Sequence, residues 1–406
     1  MRIALISEHA SPLAMLGGVD AGGQNAHVAE LSTALAARGH QVRVYTRRDG
    51  VGLPTVARVA GGFEVVHVPA GPPEPLPKDH LLPHMSEFGR ALERDWDRWT
   101  PDVAHAHFWM SGLAALRAGA RCGVPVVQTF HALGTVKRRH QGAADTSPPG
   151  RIGYERLIGR TVHRVVAQCR DEVGELIRME VPPSRISVVP SGVDPDRFTP
   201  DGPAVATTPG RPRILSVGRL VERKGFADLI RALPSVPDAE LVVIGGPSAP
   251  RLSTDPVAVR LRRLAAEVGV EDRVRLVGGV PRGRMPMWYR SADLVACAPW
   301  YEPFGLTPLE AMACDVPVVA TAVGGLADTV VDGVTGRLVR PRDPAALAAA
   351  LRELLADPHR RRAYGSAAGQ RVRRHYSWHS VAGRLEEVYR GVREAAPDEP
   401  TVTVVT

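Results

Sequence analysis

Short runs of aliphatic and β-branched residues recur through the first half of the chain, at residues 2–7, 41–46, 64–68, 102–105, 124–129 and 164–167. Longer stretches of helical periodicity separate most of them, among them residues 26–38, and this alternation predicts an α/β domain built on a parallel sheet. Residues 200–212 are polar and rich in Pro and Gly, as interdomain linkers are. A second series of strand-like runs follows at 213–217, 240–244, 273–277, 294–296, 316–320 and 337–339, again with helices between. Residues 344–394 read as helices rich in Ala, Leu and Arg. The expected organisation is a doubly wound domain over 1–200, a linker over 201–212 and a second doubly wound domain over 213–376. Ligands in such sheets bind at the carboxyl ends of the strands.

A length of 406 residues exceeds the roughly 100–200 of one ordinary core and agrees with two domains. No segment approaches the ~18 apolar residues of a membrane span, and the N-terminus runs straight into a strand, which predicts a cytoplasmic protein with no integral membrane association. The four cysteines have no paired spacing, so neither a zinc site nor a disulfide framework is expected. A net charge of +8 invites a nucleic-acid reading. Yet only three of the 51 basic residues are lysine, and the basic runs at 137–140 and 360–362 carry no interleaved aromatics, so arginine is largely the default surface cation and no nucleic-acid partner is expected. The three lysines, Lys78, Lys137 and Lys224, are the exceptions that need a reason.

Three loops carry candidate chemistry. The first, Gly17-Gly18-Val19-Asp20-Ala21-Gly22-Gly23-Gln24-Asn25, leads into a helix, where backbone N–H groups can approach an anion. Its spacing is neither G-x-G-x-x-G nor G-x-x-x-x-G-K-[ST], which counts against dinucleotide binding and nucleotide hydrolysis. The second, Gly218-Arg219 … Lys224-Gly225, places two cations at the mouth of the second sheet, where they can clamp a diphosphate. The third, Glu302-Pro303-Phe304-Gly305-Leu306-Thr307-Pro308-Leu309-Glu310, sets two carboxylates around a helix start near Gly305. That pattern suits a nucleotide sugar, with amides for phosphate and carboxylates for hydroxyls; a helix cap at Glu302 and a surface ion pair at Glu310 are the alternatives. His105 and His107 form an H-x-H on one strand face, a pair to which the sequence supplies no evident third metal ligand; packing or an acceptor contact are the other readings. The D-x-D strings at 95–97 and 194–196 fall in a helix-like stretch and in the approach to the linker, and are taken as coincidences.

With these residues the chain resembles the retaining glycosyltransferases of family 4, which have the GT-B fold of two Rossmann-like doubly wound domains facing across a cleft. The Glu302/Glu310 pair, the Gly218-Arg219 … Lys224-Gly225 loop, Gly192-Val193-Asp194 and Val323-Gly324-Gly325-Leu326 all stand where that family places them. The N-terminal glycine loop further resembles the mycothiol-pathway enzymes that glycosylate inositol phosphate and the sucrose-phosphate synthases. The resemblance implies a helix over 377–396 crossing back to the first domain, with a flexible tail over 397–406. It also implies that Arg219 and Lys224 hold the donor diphosphate and Glu310 the ribose. Glu302 with Phe304, Gly305 and Leu306 would hold the donor sugar and phosphate, and His131 would contact the sugar near the reacting carbon. Gly22, Gly23 and Asn25 would belong to the donor side. Lys78, Phe108, Arg151 and, in the loop beyond His131, Lys137 are the acceptor candidates; for Lys137 a donor phosphate contact and an exposed loop charge are the alternatives. Where the inositol-phosphate enzymes have a tyrosine and a threonine, this chain has Phe108 and Ala132, so two hydroxyl donors to the acceptor phosphate are missing. That disfavours inositol phosphate.

The expected activity is metal-independent, cofactor-free transfer of a hexosyl group, GlcNAc or glucose, from a UDP-linked donor to a small polyol, cyclitol or sugar, with retention; a homodimer is compatible. The alternatives are a sucrose-phosphate-synthase-like or phosphorylase-like enzyme using the same donor cleft and, outside the enzymes, a noncatalytic sugar-binding protein.

Overall fold

A computed structural model of the chain describes residues 1–14 and 22–395. Residues 17–21 of the first glycine loop and the expected tail at 397–406 lie outside these. The chain divides into two compact units, one made of the described residues before Ser191 together with the segment from Trp378 onward, the other of Ser191–Ser377.

The first unit carries strands β1 (Arg2–Ile6), β2 (Gln41–Arg47), β3 (Val56–Arg58), β4 (Glu64–Val68), β5 (Val103–His107), β6 (Val126–Thr129), β7 (Arg164–Ala167) and β8 (Ile186–Val188). They form one sheet in the order β3-β4-β2-β1-β5-β6-β7-β8, parallel except for the antiparallel β3–β4 edge. Between them run α1 (Gly23–Ala37), α2 (Met85–Trp96), α3 (Trp109–Cys122), α4 (Gly134–Gln141), α5 (Arg151–Thr161) and α6 (Arg170–Arg178). The second unit has β9 (Arg213–Val217), β10 (Glu240–Ile244), β11 (Val274–Gly278), β12 (Leu294–Cys297), β13 (Val318–Thr321) and β14 (Gly336–Val339) in the all-parallel order β11-β10-β9-β12-β13-β14. Counted within the unit this is 3-2-1-4-5-6, the Rossmann order, and the six inner strands of the first sheet repeat it. Helices α7 (Phe226–Ala232), α8 (Pro256–Glu267), α9 (Met285–Arg290), α10 (Leu306–Ala313), α11 (Gly324–Thr329), α12 (Pro344–Ala356) and α13 (Pro358–His375) cover its two faces, and α14 (Trp378–Glu394) ends the described chain.

Side-chain alternation divides each sheet between two cores. On β1, Ala4 and Ile6 pack with Phe88, Leu92 and Trp96 of α2 and Ala114 of α3. Ile3 and Leu5 point the other way, to Val28, Leu31 and Leu35 of α1 and to Trp378, Val381, Leu385 and Tyr389 of α14. In the second sheet Ile214 joins Leu229 of α7 and Leu351 of α12, while its neighbour Leu215 joins Leu309 of α10 and Val372 of α13. Helix α14 therefore belongs to the first unit despite its place in sequence. Its apolar positions recur every three to four residues, and Arg38 at the end of α1 donates through Nε and NH2 to Glu386, at 2.8 and 2.7 Å.

Two sequence expectations change. The division falls after Pro190, and residues 201–212 lie within the second unit. Buried Arg213 donates to Ala206 O at 2.9 Å, Arg290 to Pro203 O at 2.8 Å and Val205 N to Met287 O at 3.1 Å, so this Pro/Gly-rich segment is strapped down. The edge strands β3 and β8, three residues each, were not legible as strands at all.

Because Leu385 is a buried anchor of α14, Leu385→Ala should lower the stability of the first unit by roughly 2–5 kcal/mol, read from its urea unfolding transition.

Candidate active site

In the second unit the candidate residues gather at the carboxyl ends of β9, β12 and β13. After β9 the chain makes a single 3-10 turn, Glu222–Lys224, and turns back at Gly225 with φ +70°. A Cβ at Gly225 would lie 1.9 Å from Ala298 O just beyond β12, so only glycine lets this loop come close enough. The approach delivers Lys224 to Glu302: Nζ donates to Oε2 at 2.5 Å, and Arg223 NH1 stands 3.8 Å from the same oxygen. Gly324 fixes the other side. Its φ is +46° and a Cβ would meet Glu302 O at 2.0 Å, while Gly325 N donates to that carbonyl at 3.1 Å. Burial pushes the Glu302 carboxyl up, but Lys224, Arg223 and Arg219 together outweigh it and hold the group below the ordinary glutamate value. Glu302 is thus a fixed anion in a cationic loop, and it does not cap the helix.

Helix α10 begins at Leu306, with Gly305 as its N-cap at φ +86° and no side-chain cap among the described residues. Thr307, in the first turn, turns its hydroxyl to Val217 O at 3.3 Å. Phe304 is buried in the core beneath. Glu310, one turn further on, is also buried: Tyr289 OH donates to Oε2 at 2.7 Å and Arg282 NH1 lies 3.3 Å from Oε1. Arg219 is exposed at the loop mouth. Structure therefore brings Arg219, Lys224, Glu302 and the α10 N-terminus together, with Glu310 held behind them by two residues, Arg282 and Tyr289, for which the sequence carried no signal.

In the first unit the corresponding ends are those of β1, β5 and β6. Phe108 after β5 has φ 80°, and His131 after β6 has φ 61° as the central residue of a tight turn closed by Ala132 N donating to Phe130 O at 2.7 Å. Two non-glycine residues with positive φ at adjacent strand ends mark strain held by the surrounding structure. Around them four histidines converge. His107 Nδ1 lies 2.9 Å from His131 Nε2, and His105 bonds Tyr389 OH of α14 at 2.7 Å and Thr129 Oγ1 at 2.8 Å. His27 of α1 packs edge-on to His131, and one ring nitrogen from each of His27, His107 and His131 falls within 4.8 Å of the others. Of the H-x-H only His107 thus joins a group of three potential ligands, the other two, His27 and His131, coming from other elements and invisible as a sequence pattern; His105 spends both nitrogens on Tyr389 and Thr129. A transition metal is chemically possible in such a group, although His107 and His131 already meet each other through one nitrogen apiece. Burial drives all four imidazoles toward the neutral form: His105 and His131 are lowered to about 3, and His27 and His107 well below the ordinary value, each helped by neighbouring histidines.

The acceptor candidates form a linked group beside them. Arg151 stacks over the Phe108 ring at 5.1 Å and donates from Nε to Glu155 at 2.7 Å, from NH1 to Ser147 Oγ at 3.1 Å and from NH2 to Ala132 O at 2.5 Å. Glu155 in turn takes Gly134 N at 2.8 Å. Lys137 is on α4 rather than in a loop, and its ammonium pairs with Asp145 and Ser147, both at 2.9 Å. Burial raises the Asp145 carboxyl, but the Lys137 and Ser147 hydrogen bonds prevail and hold it at about 2. Lys78 lies half-buried on a 3-10 turn whose Asp79 accepts from Thr146 Oγ1 at 2.7 Å, next to the same loop. Of the first glycine loop, Gly22 caps α1 and Gly23 and Asn25 lie within its first turn; Asn25 is buried, accepting from Gly22 N and donating to Ser11 O, both at 3.0 Å. Gln24 reaches Ser7 Oγ at 3.2 Å and His107 O at 3.3 Å. Beyond β1, Glu8 is wholly buried between His9 and Ser111. Both D-x-D strings are structural, with Asp95 taking Tyr45 OH at 2.7 Å and Asp194 taking Asp196 N at 3.0 Å.

The chain matches the family model "Glycosyltransferase Family 4" over residues 21–197 and "Glycosyl transferases group 1" over residues 203–371. A protein named D-inositol 3-phosphate glycosyltransferase from Xylanimonas cellulosilytica is 40% identical over 413 residues, covering 98% of each chain. One of the same name from Frankia alni is 39% identical, covering 94% of this chain and 97% of that one. A solved sucrose-phosphate synthase from Thermosynechococcus elongatus has a TM-score of 0.88 at 31% identity, covering 97% of this chain and all 100% of the other.

The four buried imidazoles set a pH dependence. Folded they stay neutral, whereas in the unfolded chain they take up protons near 6.5, so their contribution is fully present above 6.5 and is lost as pH falls toward about 3. Each should remove up to about 1.4 kcal/mol per pH unit in that window. Urea midpoints measured from pH 7.5 down to pH 4.5 should fall accordingly, and His105→Gln should flatten the slope.

Proposed function

From the premise that the chain belongs to the GT-B-fold glycosyltransferases that these two families describe, we propose that it moves a hexosyl group from a nucleotide sugar to a small polyol, cyclitol or sugar. UDP is the preferred carrier and GlcNAc or glucose the preferred sugar, and the anomeric configuration is retained. The observation that carries the donor half is the Lys224–Glu302 pair under the uncapped start of α10. A diphosphate there would meet the Lys224 ammonium, the Arg219 guanidinium and the free N–H groups of the α10 first turn. The buried Glu310 carboxylate, held by Tyr289 and Arg282, would take the ribose hydroxyls, and Glu302 the sugar hydroxyls.

In the reaction the bond between the anomeric carbon and the diphosphate oxygen breaks, the acceptor oxygen bonds to that carbon on the same face, and the acceptor proton passes to the departing diphosphate. Charge growing on the leaving group is what Arg219 and Lys224 are placed to absorb. His131 keeps a neutral imidazole, suited to a hydrogen bond with a sugar hydroxyl. The carboxylates have assigned binding roles, so no covalent sugar intermediate is invoked, and neither a metal nor another cofactor is required.

On the acceptor side, two relatives are named for inositol 3-phosphate and the solved relative for sucrose phosphate. This chain lacks two hydroxyl donors at Phe108 and Ala132, each worth about 1.5–3 kcal/mol to a charged group, and its Arg151 and Lys137 are already engaged by Glu155 and Asp145. A polyol, cyclitol or sugar other than inositol 3-phosphate fits this lining better.

Lys224→Ala and Arg219→Ala should each cut nucleotide release with the preferred donor by roughly two to three orders of magnitude while the fold persists; near-normal turnover would sink the donor assignment. Added chelator should leave the rate unchanged. Anomer analysis of the product by NMR should show the configuration of the donor, and UDP rather than sugar phosphate should accumulate.

A further inference from the structure

Helix α1 turns Ala26, Val28, Leu31 and Leu35 inward, and in the same buried stretch it carries His27, a side chain that neither the donor nor the acceptor assignment uses. An imidazole is a costly filling for such a place, since it brings two polar nitrogens where a leucine brings none. Its ring centroid lies 4.9 Å from that of His131 and 5.5 Å from that of His107, and one ring nitrogen from each of the three falls within 4.8 Å of the other two. Among the described residues this is the one group of three histidine, cysteine or carboxylate side chains that converges so. Within it His107 Nδ1 meets His131 Nε2 at 2.9 Å, while the fully buried His107 Nε2 has no hydrogen-bond partner among the described residues. Protein interiors rarely leave a polar atom bare without a reason.

The geometry and the donor chemistry point the same way. Three nitrogens on one tetrahedral zinc ion, each at ~2.0–2.1 Å, stand about 3.3–3.4 Å apart. His107 and His131 already approach that spacing, and the third nitrogen closes on it through a shift of at most about 1.5 Å, the scale of a small ring rotation. Burial holds all three imidazoles neutral, the form that offers a lone pair, so a cation displaces no net proton. The hydrogen now shared between His107 and His131 moves to the far nitrogen of the ring that carries it. Around the group, Gln168 Nε2 reaches His27 Nδ1 at 3.5 Å and Gln168 also bonds His131, while the His105 ring packs 4.3 Å from His107 with both nitrogens spent on Tyr389 and Thr129. Such outer contacts orient ligating rings. His27 and His107 are buried and His131 is half-buried, so the group opens on the side of His131. A donor set of imidazoles with no carboxylate suits Zn2+, Co2+, Ni2+ or Cu2+ and not Mg2+ or Ca2+.

We propose that His27, His107 and His131 form a binding site for a divalent transition metal, and that its occupation shuts the enzyme down by taking the imidazole of His131 away from the sugar. The metal is an inhibitor and not a cofactor, so transfer itself remains metal-independent. The site stands on its own geometry; the inhibition rests on the glycosyl-transfer reading above, in which His131 faces a sugar hydroxyl.

The test uses the full chain stripped of metal with EDTA, and Co2+ as the probe because its visible absorption reports coordination geometry. One equivalent of Co2+ should give the strong absorption of a four-coordinate ion, Zn2+ should bleach it by displacement, and Mg2+ and Ca2+ should leave it unchanged. His27→Phe, which keeps a ring against Trp378, should weaken Co2+ binding at least about 100-fold and leave metal-free transfer within about threefold of wild type. His27→Leu serves where the larger ring is not accepted, and in wild type long-range 15N NMR should show Zn2+ shifting the ring nitrogens of these three histidines. Release of UDP from UDP-glucose or UDP-GlcNAc, measured at fixed free Zn2+ because nucleotides also bind metal, should fall in proportion to the occupied fraction in wild type and stay constant in the His27 variants. Absence of the four-coordinate Co2+ spectrum, a spectrum unchanged in the His27 variants, or Zn2+ shifts confined to other histidines overturns the site. Binding at these residues with undiminished transfer overturns the inhibition. If wild-type protein releases nucleotide from neither donor, the transfer reading fails, while the Co2+ spectra and the NMR shifts still decide the site.

Discussion

A parallel sheet covered by helices on both faces has little place for polar side chains along its strands. Polar chemistry is driven to the carboxyl ends, where the chain leaves the sheet and backbone N–H groups of the next helix are free. Both units obey this constraint. Glu8 and His9 follow β1, Phe108 follows β5 and His131 follows β6. In the other unit Lys224 follows β9, Glu302 follows β12 and Gly324 follows β13. These groups stand where they do because a strand stops there.

The second recurring device is the locked charge. Glu302 with Lys224, Glu310 with Arg282 and Tyr289, Glu155 with Arg151 and Gly134 N, and Glu8 with Ser111 and His9 each hold a carboxylate in one orientation. Stripping one partner from a buried pair of this kind costs about 3–5 kcal/mol, so these groups are rigid by construction. The histidines answer the same burial in the opposite way, by giving up the proton. Groups fixed in this way within each unit are organised before any ligand arrives, and that lowers the cost of binding one.

Tight backbone approaches make the devices meet. Glycine at 225 allows the Lys224 turn to touch the end of β12, and glycine at 324 allows the next loop to grip the Glu302 carbonyl. Both glycines were visible in the sequence as parts of motifs, and the structure gives their reason as collision distances of 1.9 and 2.0 Å for a hypothetical Cβ. The positive φ of Phe108 and His131 had no comparable signal, because nothing about a phenylalanine or a histidine announces such a backbone.

By itself the sequence determined the two doubly wound units, twelve of the fourteen described strands to within two residues at each end, and the loops bearing Lys224, Glu302 and Glu310, because hydrophobic periodicity and loop glycines are local signals. Tertiary structure decided everything that depends on residues distant in the chain. It set the unit boundary at Pro190, since hydrogen bonds from Arg213 and Arg290 hold residues 203–206 to the second unit. It took Lys137 out of an expected loop and paired it with Asp145, and it gathered His27, His105, His107 and His131 from α1, β5 and the end of β6. It also turned Glu8 inward onto Ser111, 103 residues away, leaving His9 at the edge. Such partnerships follow from sheet order and from the need to satisfy each buried polar atom, and neither is written in the spacing of residues along the chain.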